Sequence, residues 1–479
     1  MQPRSSTRQS RSKVGVERLA SSFLAVLLGS TLGCSDTSAP ASSASTSAPV
    51  ASASASASAR PSSGLVPSGV EGPPATGELA RLPRGGSLYA TVRTEMLDVL
   101  ARVIPQTAGI AEAIAPAGKG RKLSAALAEM GVDPSRPILT AAFTRGFDLT
   151  KKLLTDAQPA RAKPLEGIDN IGSFIRYELP LVEGANPTKL LPLLQAVGGP
   201  DRKVVECPSG PGCSDVGGTG LVGLAADEFG GASLRVVDGW ARIDSVSPFG
   251  DGKGVTERAL RAFAAEPLGG PAPSRCTRVD ATAQAAVCVD ALRMSEGYAA
   301  ERHAIAISGV SYNVDLPVED RKQLLDRGQT EAAFLAALGS PARVILDDGT
   351  LLFSGPAAKP HMVMSWSLTD ASRPGIEAAL PTPLCGQGPA FIDTALGKLI
   401  PAFGEPGAGL PDLAAKSKQF ERVDPLQLSL LWARTWPNFA GPMKQKLSRS
   451  LRPLLGAGKA CIRIEGGRLE FDADAMPSR

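Results

Sequence analysis

The chain has 479 residues, with 51 Lys and Arg against 47 Asp and Glu, and this length is enough for two or three ordinary domains. Aromatic residues make up only 5% of the chain, so the core is expected to consist mainly of Leu, Val, Ile and Ala. Residues 1–33 carry five of the bases and one of the acids, which leaves 46 of each in residues 34–479. A neutral remainder has no net attraction for nucleic acid, and no nucleic-acid partner is predicted.

The N-terminus has the three parts of an export signal. A basic leader precedes an apolar run from Leu19 to Leu32, which contains 14 residues. A helix that spans a membrane needs about 20 residues, so residues 1–33 are predicted to be a signal peptide. No later segment is apolar for long enough to cross a bilayer.

The apolar run ends in Thr31-Leu32-Gly33-Cys34. This resembles the lipobox of bacterial lipoproteins, in which a small residue precedes a cysteine. The resemblance implies that the Cys34 thiol takes a diacylglycerol and that the chain is cut just before it, which makes the bilayer a partner. Thr31 departs from the family pattern, which usually has Leu there. The alternative is a conventional signal cut near Ala39-Pro40-Ala41, which would release a soluble periplasmic protein.

Residues 34–80 are almost entirely Ser, Ala, Pro, Thr and Gly. Such a segment buries too little apolar surface to offset its backbone entropy and is predicted to be a disordered tether. The lipobox and this tether together resemble predicted lipoproteins of unknown function from high-GC Gram-negative bacteria, of the kind abundant in myxobacteria. The resemblance implies a cell-envelope location and no activity. Under the sorting preference of lipoproteins in enteric bacteria, the resemblance with Ser35 after Cys34 implies the outer membrane rather than the inner, with the body in the periplasm or on the surface.

Setting Cys34 aside leaves an even number of cysteines, which in an exported chain indicates disulfides. These are Cys207, Cys213, Cys276, Cys288, Cys385 and Cys461. Short spacings favour Cys207–Cys213 and Cys276–Cys288, which leaves Cys385–Cys461. Zinc is the competing use of cysteine, but there is no CxxC and there are only two histidines, so no metal site is predicted.

The hydrophobic periodicity predicts interleaved strands and helices. The predicted strands are Ser87–Val92, Pro137–Phe143, Phe174–Leu181, Ala304–Val314, His361–Leu368 and Leu426–Ala433. The predicted helices are Glu95–Ile104, Lys122–Met130, a helix from Asn186-Pro187 to Gly198 that Pro192 kinks, Glu331–Leu338 and Ile392–Ile400.

Three segments each consist of two apolar runs around a two-residue turn, the pattern of a β-hairpin. The turns are Asp238-Gly239, Asp348-Gly349 and Gly466-Gly467. A strand and helix precede the first and third hairpins, which indicates an internal duplication of a strand–helix–hairpin unit, although hairpins are common enough to recur without one. The predicted fold is α+β, with one lobe at 82–260, a linker with a disulfide loop at 261–289, and a second lobe at 290–479.

Common catalytic motifs are absent or out of context. Residues 218–223 fit GxGxxG, but a cysteine-flanked loop precedes them where a dinucleotide site needs a strand. There is no GxSxG or HExxH, and the only SxxK lies in the leader. His303 and His361 are predicted at strand starts, where a surface histidine is the simpler explanation. No catalytic residue and no cofactor is predicted.

Carboxylate pairs and tryptophans give weaker signals. Glu319-Asp320 is expected at an exposed helix start, Asp347-Asp348 in a hairpin turn, and Asp472 with Asp474 at a frayed C-terminus. Trp436 is the one candidate for contact with a ligand, since an exposed indole can stack on a sugar or peptide. The alternative is that Trp436 only caps a strand.

These observations favour a membrane-anchored envelope lipoprotein whose body is a non-catalytic binding or assembly module. Two alternatives stay open: a periplasmic enzyme with a dispersed active site, and a carrier of an apolar ligand. The envelope protein or ligand that such a module binds is not predicted.

Processing at Cys34 is directly testable. Because lipidation needs the thiol, Cys34→Ala is expected to abolish incorporation of labelled fatty acid and to leave the leader uncut. Mass spectrometry of the N-terminus measures both effects. Normal maturation of the variant, with a new N-terminus near Ser42, would contradict the lipoprotein prediction.

Overall fold

The structure is a computed structural model that describes residues 77–474 with internal gaps. Within this range the structure does not describe residues 104, 116–120, 146–171, 200, 208–209, 211, 229, 249–253, 270–282, 291–345, 405–425, 427–429, 431 and 434–435.

All described strands belong to one antiparallel sheet. They are β1 (Leu88–Val92), β2 (Ile138–Arg145), β3 (Gly172–Pro180), β4 (Val204–Glu206), β5 (Leu221–Asp227), β6 (Gly230–Val237), β7 (Trp240–Pro248), β8 (Ala285–Asp290), β9 (Leu346–Ser354), β10 (His361–Leu368), β11 (Leu384–Gln387), β12 (Lys459–Glu465) and β13 (Arg468–Asp474). Their order across the sheet is β11-β12-β13-β10-β9-β8-β1-β2-β3-β7-β6-β5-β4.

Helices connect these strands. The α-helices are α1 (Thr94–Val103), α2 (Pro105–Ile114), α3 (Leu123–Glu129), α4 (Leu191–Gly198), α5 (Cys213–Val216), α6 (Val255–Ala264), α7 (Arg373–Ala379), α8 (Gly388–Gly404) and α9 (Pro437–Leu455), with 3₁₀-helices at Gly77–Arg81 and Pro187–Leu190. None of the helices described has the length and hydropathy required to traverse a bilayer.

The strand order repeats outward from the central pair, β1 and β8. On one side β1, β2 and β3 are followed by β7, β6 and β5; on the other, β8, β9 and β10 are followed by β13, β12 and β11. We call these the first and second halves of the sheet. At the centre, Ala90 of β1 lies opposite Val287 of β8 in an antiparallel register. The topology of one half therefore recurs in the other around this pair.

The two faces of the sheet are covered differently. Face A carries two apolar clusters, to which α1, α4, α8 and α9 contribute, and Leu97 of α1 packs against both. Face B carries a third apolar cluster, to which α5 and α6 contribute. Helices thus cover face A in both halves, whereas α5 and α6 lie over the first half of face B, where α6 contacts β5, β6 and β7.

The α+β fold class is confirmed, as are two of the three hairpins. At the β6–β7 turn, Asp238 and Gly239 have φ angles of 51° and 75°; at the β12–β13 turn, Gly466 and Gly467 have 57° and 74°. Positive φ at both central residues is what tight two-residue turns require.

The hairpin predicted at Asp348-Gly349 is wrong, because both residues lie inside the single strand β9. Gly349 pairs with Trp366 of β10, and a Cβ atom there would lie 1.6 Å from the Trp366 ring. The glycine therefore provides room for an indole from the neighbouring strand. The carboxylate pair Asp347-Asp348, expected in a turn, also lies within strand β9.

The strand predicted at Leu426–Ala433 is also wrong. Leu426, Leu430, Trp432 and Ala433, the residues described in this segment, are helical. Leu426 and Leu430 are 65% and 60% exposed, whereas Trp432 is buried. Alternation alone was misleading here, since the segment has many Leu residues and no β-branched residue, a composition that favours a helix.

The other predicted strands and helices that fall within the described residues agree with the structure to within a few residues. Asn186 caps the helix predicted after it, because its side chain accepts a hydrogen bond from the Thr188 amide. Pro192 lies where the 3₁₀-helix gives way to α4, so the expected kink is a change of helix type. The strand Ala304–Val314 and the helix Glu331–Leu338 lie outside the described residues.

Two predicted disulfides are present, Cys207–Cys213 and Cys385–Cys461, with Cα atoms 6.0 and 4.0 Å apart. Cys385 and Cys461 face each other directly across β11 and β12. Cys288 is also disulfide-bonded, and Cys276, its predicted partner, lies outside the described residues. The lobe boundaries remain predictions, and the segment predicted as a linker contains most of the central strand β8.

Filling the space at Gly349 is expected to destabilise the fold. Gly349→Ala places a methyl group against the Trp366 ring, and such overpacking costs about 1–3 kcal/mol. Chemical denaturation measures the free energy of unfolding. Gly397→Ala is the control, because a Cβ at Gly397 in α8 meets nothing within 4 Å and alanine favours a helix. Equal stability of the Gly349→Ala variant and the wild type would contradict this packing.

Candidate functional site

The predicted ligand-contact residue Trp436 lies just before α9 and stacks on Trp432, with ring centroids 5.5 Å apart. Its indole also packs against Gly404 at the end of α8, where a Cβ would lie 2.4 Å from Nε1. Trp432 donates from Nε1 to the Gly404 carbonyl. Trp436 is thus partly used in joining two helices, and its contact with a ligand stays a prediction.

His361 begins β10, as predicted, and its side chain is 42% exposed. Its Nε2 lies 3.5 Å from Asp472 and its Nδ1 lies 3.3 Å from Asp474. The expectation that Asp472 and Asp474 lie at a frayed terminus is wrong, because both belong to β13 and pair with β10.

The GxGxxG segment follows helix α5, and its last three residues begin strand β5. This order is the reverse of the strand–loop–helix order of a dinucleotide site. Gly218 and Gly220 have positive φ angles of 95° and 72°, and a Cβ at Gly218 would lie 2.5 Å from Nη1 of Arg235. The glycines therefore let the loop pass close over β6. Cys34, His303 and Glu319-Asp320 lie outside the described residues.

Sequence reasoning missed a cluster of charged side chains inside the protein. It lies on face B of the first half, in three neighbouring strands, and we call it the buried charge cluster. Its members are Arg176 and Glu178 of β3, Arg242 and Asp244 of β7, and Ser233 and Arg235 of β6. Each is at most 6% exposed.

The strand register places opposite charges side by side in this cluster. Arg176 lies opposite Asp244, and Glu178 lies opposite Arg242. Arg176 binds Asp244 with both Nε and Nη2, at 2.6 and 3.2 Å, and donates to the Phe263 carbonyl at 2.7 Å. Arg242 Nε donates to Glu178 at 2.6 Å. Two buried ion pairs therefore link β3 to β7.

Helix α6 and the N-terminal 3₁₀-helix cover the cluster. The Phe263 ring of α6 lies 4.8 Å from the Arg176 guanidinium. At the other end Arg81 lies 3.9 Å from Glu178 and 5.1 Å from the Trp240 ring centroid, and it is 21% exposed. Arg136 also stacks over Trp240, at 4.3 Å. Arg81 is therefore partly exposed and at the same time contacts Glu178 of the buried charge cluster.

Arg235 differs from Arg176 and Arg242, because among the described residues no carboxylate forms a hydrogen bond with it. It lies opposite Arg242, and its Nη2 donates to the Val216 carbonyl at 3.3 Å. Burial lowers the pKa of Arg235; Asp244 raises this pKa, and the charges of Arg242 and Arg176 lower it. Burial likewise raises the pKa of the Glu178 carboxyl, against a lowering by Arg242. Both shifts reflect charges held away from water.

In the second half, the corresponding face carries polar side chains, and all of those named next except the buried Ser365 reach the solvent. We call them the exposed ladder: His361, Ser365 and Ser367 of β10, Arg463 and Glu465 of β12, and Arg468, Glu470, Asp472 and Asp474 of β13. Arg463 pairs with Glu465 and Glu470 at 3.0 Å and with Asp472 at 3.5 Å. Arg468 donates to the hydroxyls of Ser365 and Ser367 at 2.7 and 2.5 Å.

The opposite side of these strands is apolar. Leu469, Phe471 and Ala473 of β13 are buried in the face A core. The ladder carries four carboxylates against two guanidiniums, and Lys459, exposed on the same face of β12, leaves this surface an acidic excess of one charge. In the part of the chain that the structure describes, no group of three or more His, Cys, Asp or Glu is placed to hold a metal.

No protein-family model and no curated protein matches this chain. Among solved structures, crystal form I of TP0453 is similar with a TM-score of 0.29 and 10% identity, covering 84% of this chain and 94% of that one. Crystal form III has a TM-score of 0.25 and 11% identity, covering 61% of this chain and 80% of that one. Likeness at this level supports no inference about function.

Breaking one buried ion pair is expected to destabilise the protein strongly. Asp244→Asn leaves the Arg176 charge unpaired in the interior, which costs about 3–5 kcal/mol. The midpoint of urea denaturation measures the change. Asp393→Asn, which breaks the exposed pair with Arg452, is the matched control and is expected to leave the midpoint nearly unchanged. Similar small effects in both variants would show that the buried pair is dispensable.

Proposed function

We propose that this chain is a lipid-anchored protein of the cell envelope, with the outer membrane as the more favoured site, and that its body is a non-catalytic binding module. The anchor rests on the sequence alone: the export signal, Cys34 and the tether in residues 34–80. The exposed ladder supports a binding role for the body. We assign to it a protein partner with a basic surface, because the ladder carries more carboxylates than guanidiniums.

The form of the ladder supports this proposal. It lies on strands of a sheet whose other side is packed in the core, so its backbone is held rigidly. No helix among the described residues contributes an apolar residue over this part of face B. A rigid polar surface pays little conformational entropy when a partner binds.

The side chains of the ladder hold one another in place. Arg463 is positioned by carboxylates of two strands, and Arg468 by two serine hydroxyls. Charged groups fixed in this way present a defined pattern to a partner. The same groups are engaged in mutual pairs on a sheet face that no described helix covers, whereas general acid–base chemistry requires convergent groups in a cleft. The arrangement therefore favours binding over catalysis.

Site-specific cross-linking in intact cells tests the binding role. A photo-reactive amino acid replaces Glu465, an exposed residue at the β12–β13 turn, and in a control it replaces Lys398, an exposed residue of α8. We expect a discrete adduct from position 465 and none from position 398. Identical adducts from both positions would indicate non-specific contact and contradict a role for the ladder.

Charge reversal then tests the acidic character of the surface. Glu465→Lys, combined with a cross-linker at position 367, is expected to reduce the adduct several-fold because it removes the attraction for a basic partner. Glu377→Lys on α7 makes the same charge change away from the ladder and is the matched control. An adduct that survives Glu465→Lys but not Glu377→Lys would place the partner elsewhere. Turnover of an ester, peptide or glycan by the purified body, without any adduct, would favour the enzyme alternative.

A further inference from the structure

We propose that Arg176, Arg235 and Arg242 form a buried binding site for a small tetrahedral oxyanion, such as phosphate or sulfate. The site goes beyond the proposed function, because it lies in the first half of the sheet and depends neither on the lipid anchor nor on the exposed ladder. Its argument rests on the charge, hydrogen bonding and burial of the cluster.

The first observation is a surplus of positive charge. The buried charge cluster holds three guanidiniums and two carboxylates, which leaves one positive charge uncompensated. An arginine does not lose its proton in a protein. A buried charge without a counter-charge is strongly unfavourable, so an anion among these arginines would remove a large energetic penalty.

The second observation is a set of buried donors without partners. Arg176 Nη1, Arg235 Nε and Arg242 Nη2 are all shielded from solvent and have no hydrogen-bond partner among the described residues. One buried acceptor of the cluster, Glu178 Oε2, also lacks a hydrogen bond, and the guanidinium of Arg81 lies 3.9 Å from it. The hydroxyl of Ser233, which lies directly opposite Asp244, is also buried and has no hydrogen-bond partner among the described residues. Folded proteins satisfy nearly all such groups with protein atoms, water or a bound ion.

The strand register brings two of these cations together. Arg235 of β6 lies opposite Arg242 of β7, and both side chains are on face B. Like charges directly opposite each other in neighbouring strands destabilise the pairing. Glu178 is hydrogen-bonded to Arg242 and Asp244 to Arg176, so neither carboxylate of the cluster forms a hydrogen bond with Arg235. An anion that accepts from both guanidiniums would turn this repulsion into attraction.

The donor set selects the kind of anion. Planar guanidiniums bind oxyanions through pairs of N–H groups, and a tetrahedral oxyanion accepts from several donors at once. The burial of the site selects the source. Arg176 and Ser233 have no exposed surface, and Arg235 is 5% exposed. This burial is compatible with an ion that carries no attached chain, whereas the headgroup of a lipid would need an opening for its glycerol and chains.

Thermal denaturation of the purified mature protein tests the site. The protein is first freed of phosphate and sulfate and is then heated in sodium phosphate, sodium sulfate or sodium chloride at equal ionic strength. We expect phosphate and sulfate to raise the melting temperature relative to chloride, by about 2–5 °C at a concentration about a hundredfold above the dissociation constant. The rise is expected at low millimolar concentration, where the general stabilisation of proteins by these salts is small. Equal melting temperatures in the three salts would show that neither oxyanion binds and would overturn the proposal.

A variant links the effect to the cluster. Arg235→Met removes the uncompensated charge and keeps an apolar stem of similar length. We expect this variant to lose the phosphate-dependent rise and to be at least as stable as the wild type in chloride, because the uncompensated buried charge is gone. Arg463→Met removes an arginine from the exposed ladder and is the matched control, which should keep the rise. A rise of equal size in both variants would overturn the assignment.

Equilibrium dialysis of the wild-type protein with labelled phosphate provides a test that does not depend on how a variant folds. We expect saturable binding of one phosphate per chain and its displacement by sulfate. No binding at millimolar phosphate would overturn the proposal. Displacement by phosphatidylglycerol vesicles, but not by sulfate, would overturn the assignment to a free anion and indicate a lipid headgroup.

Discussion

The pairing of β1 with β8 is the constraint on which the rest of the sheet depends. Every residue of both strands is buried, so each face of this pair is covered. Small residues such as Ala90, Ala285 and Ala286 allow helices and side chains to approach from both sides. All other strands are added outward from this pair, so its register determines which side chains of each half point to face A. A shift by one residue would turn the apolar side chains of a strand to the other face.

The two halves share a strand order but differ in what lies over face B. In the first half α6 and a 3₁₀-helix cover charged residues that alternate with apolar ones, and these charges form a buried cluster. In the second half the same alternation yields side chains that reach the solvent, such as Arg463 and Asp472. Exposed ion pairs contribute little to stability, whereas a buried pair becomes a liability as soon as one partner is lost. The same strand order therefore carries a buried charge cluster in the first half and the exposed ladder in the second.

Local signals in the sequence predicted much of the fold. Asp238-Gly239 and Gly466-Gly467 specified two hairpins because such turns need residues that tolerate positive φ. At Gly349 the same dipeptide pattern failed, since the glycine makes room for a side chain from another strand, which no local pattern contains. The buried cluster had a signal in the charge–x–charge spacing of Arg176 with Glu178, but this spacing is also typical of a half-exposed strand. Only the helix that covers it decides between the two, and that is a long-range contact.

The ion pairs between β3 and β7 also specify their register. A slip of two residues keeps every apolar side chain on its own face, so hydrophobic burial alone does not exclude it. One such slip would place Glu178 opposite Asp244, and the slip in the other direction would place Arg176 opposite Arg242. Both arrangements put like charges side by side in the interior, which is strongly unfavourable. Arg235 has no part in this discrimination, because it faces Arg242 in the observed register. Its burial therefore needs a separate cause, and a counter-ion held between the two arginines provides one.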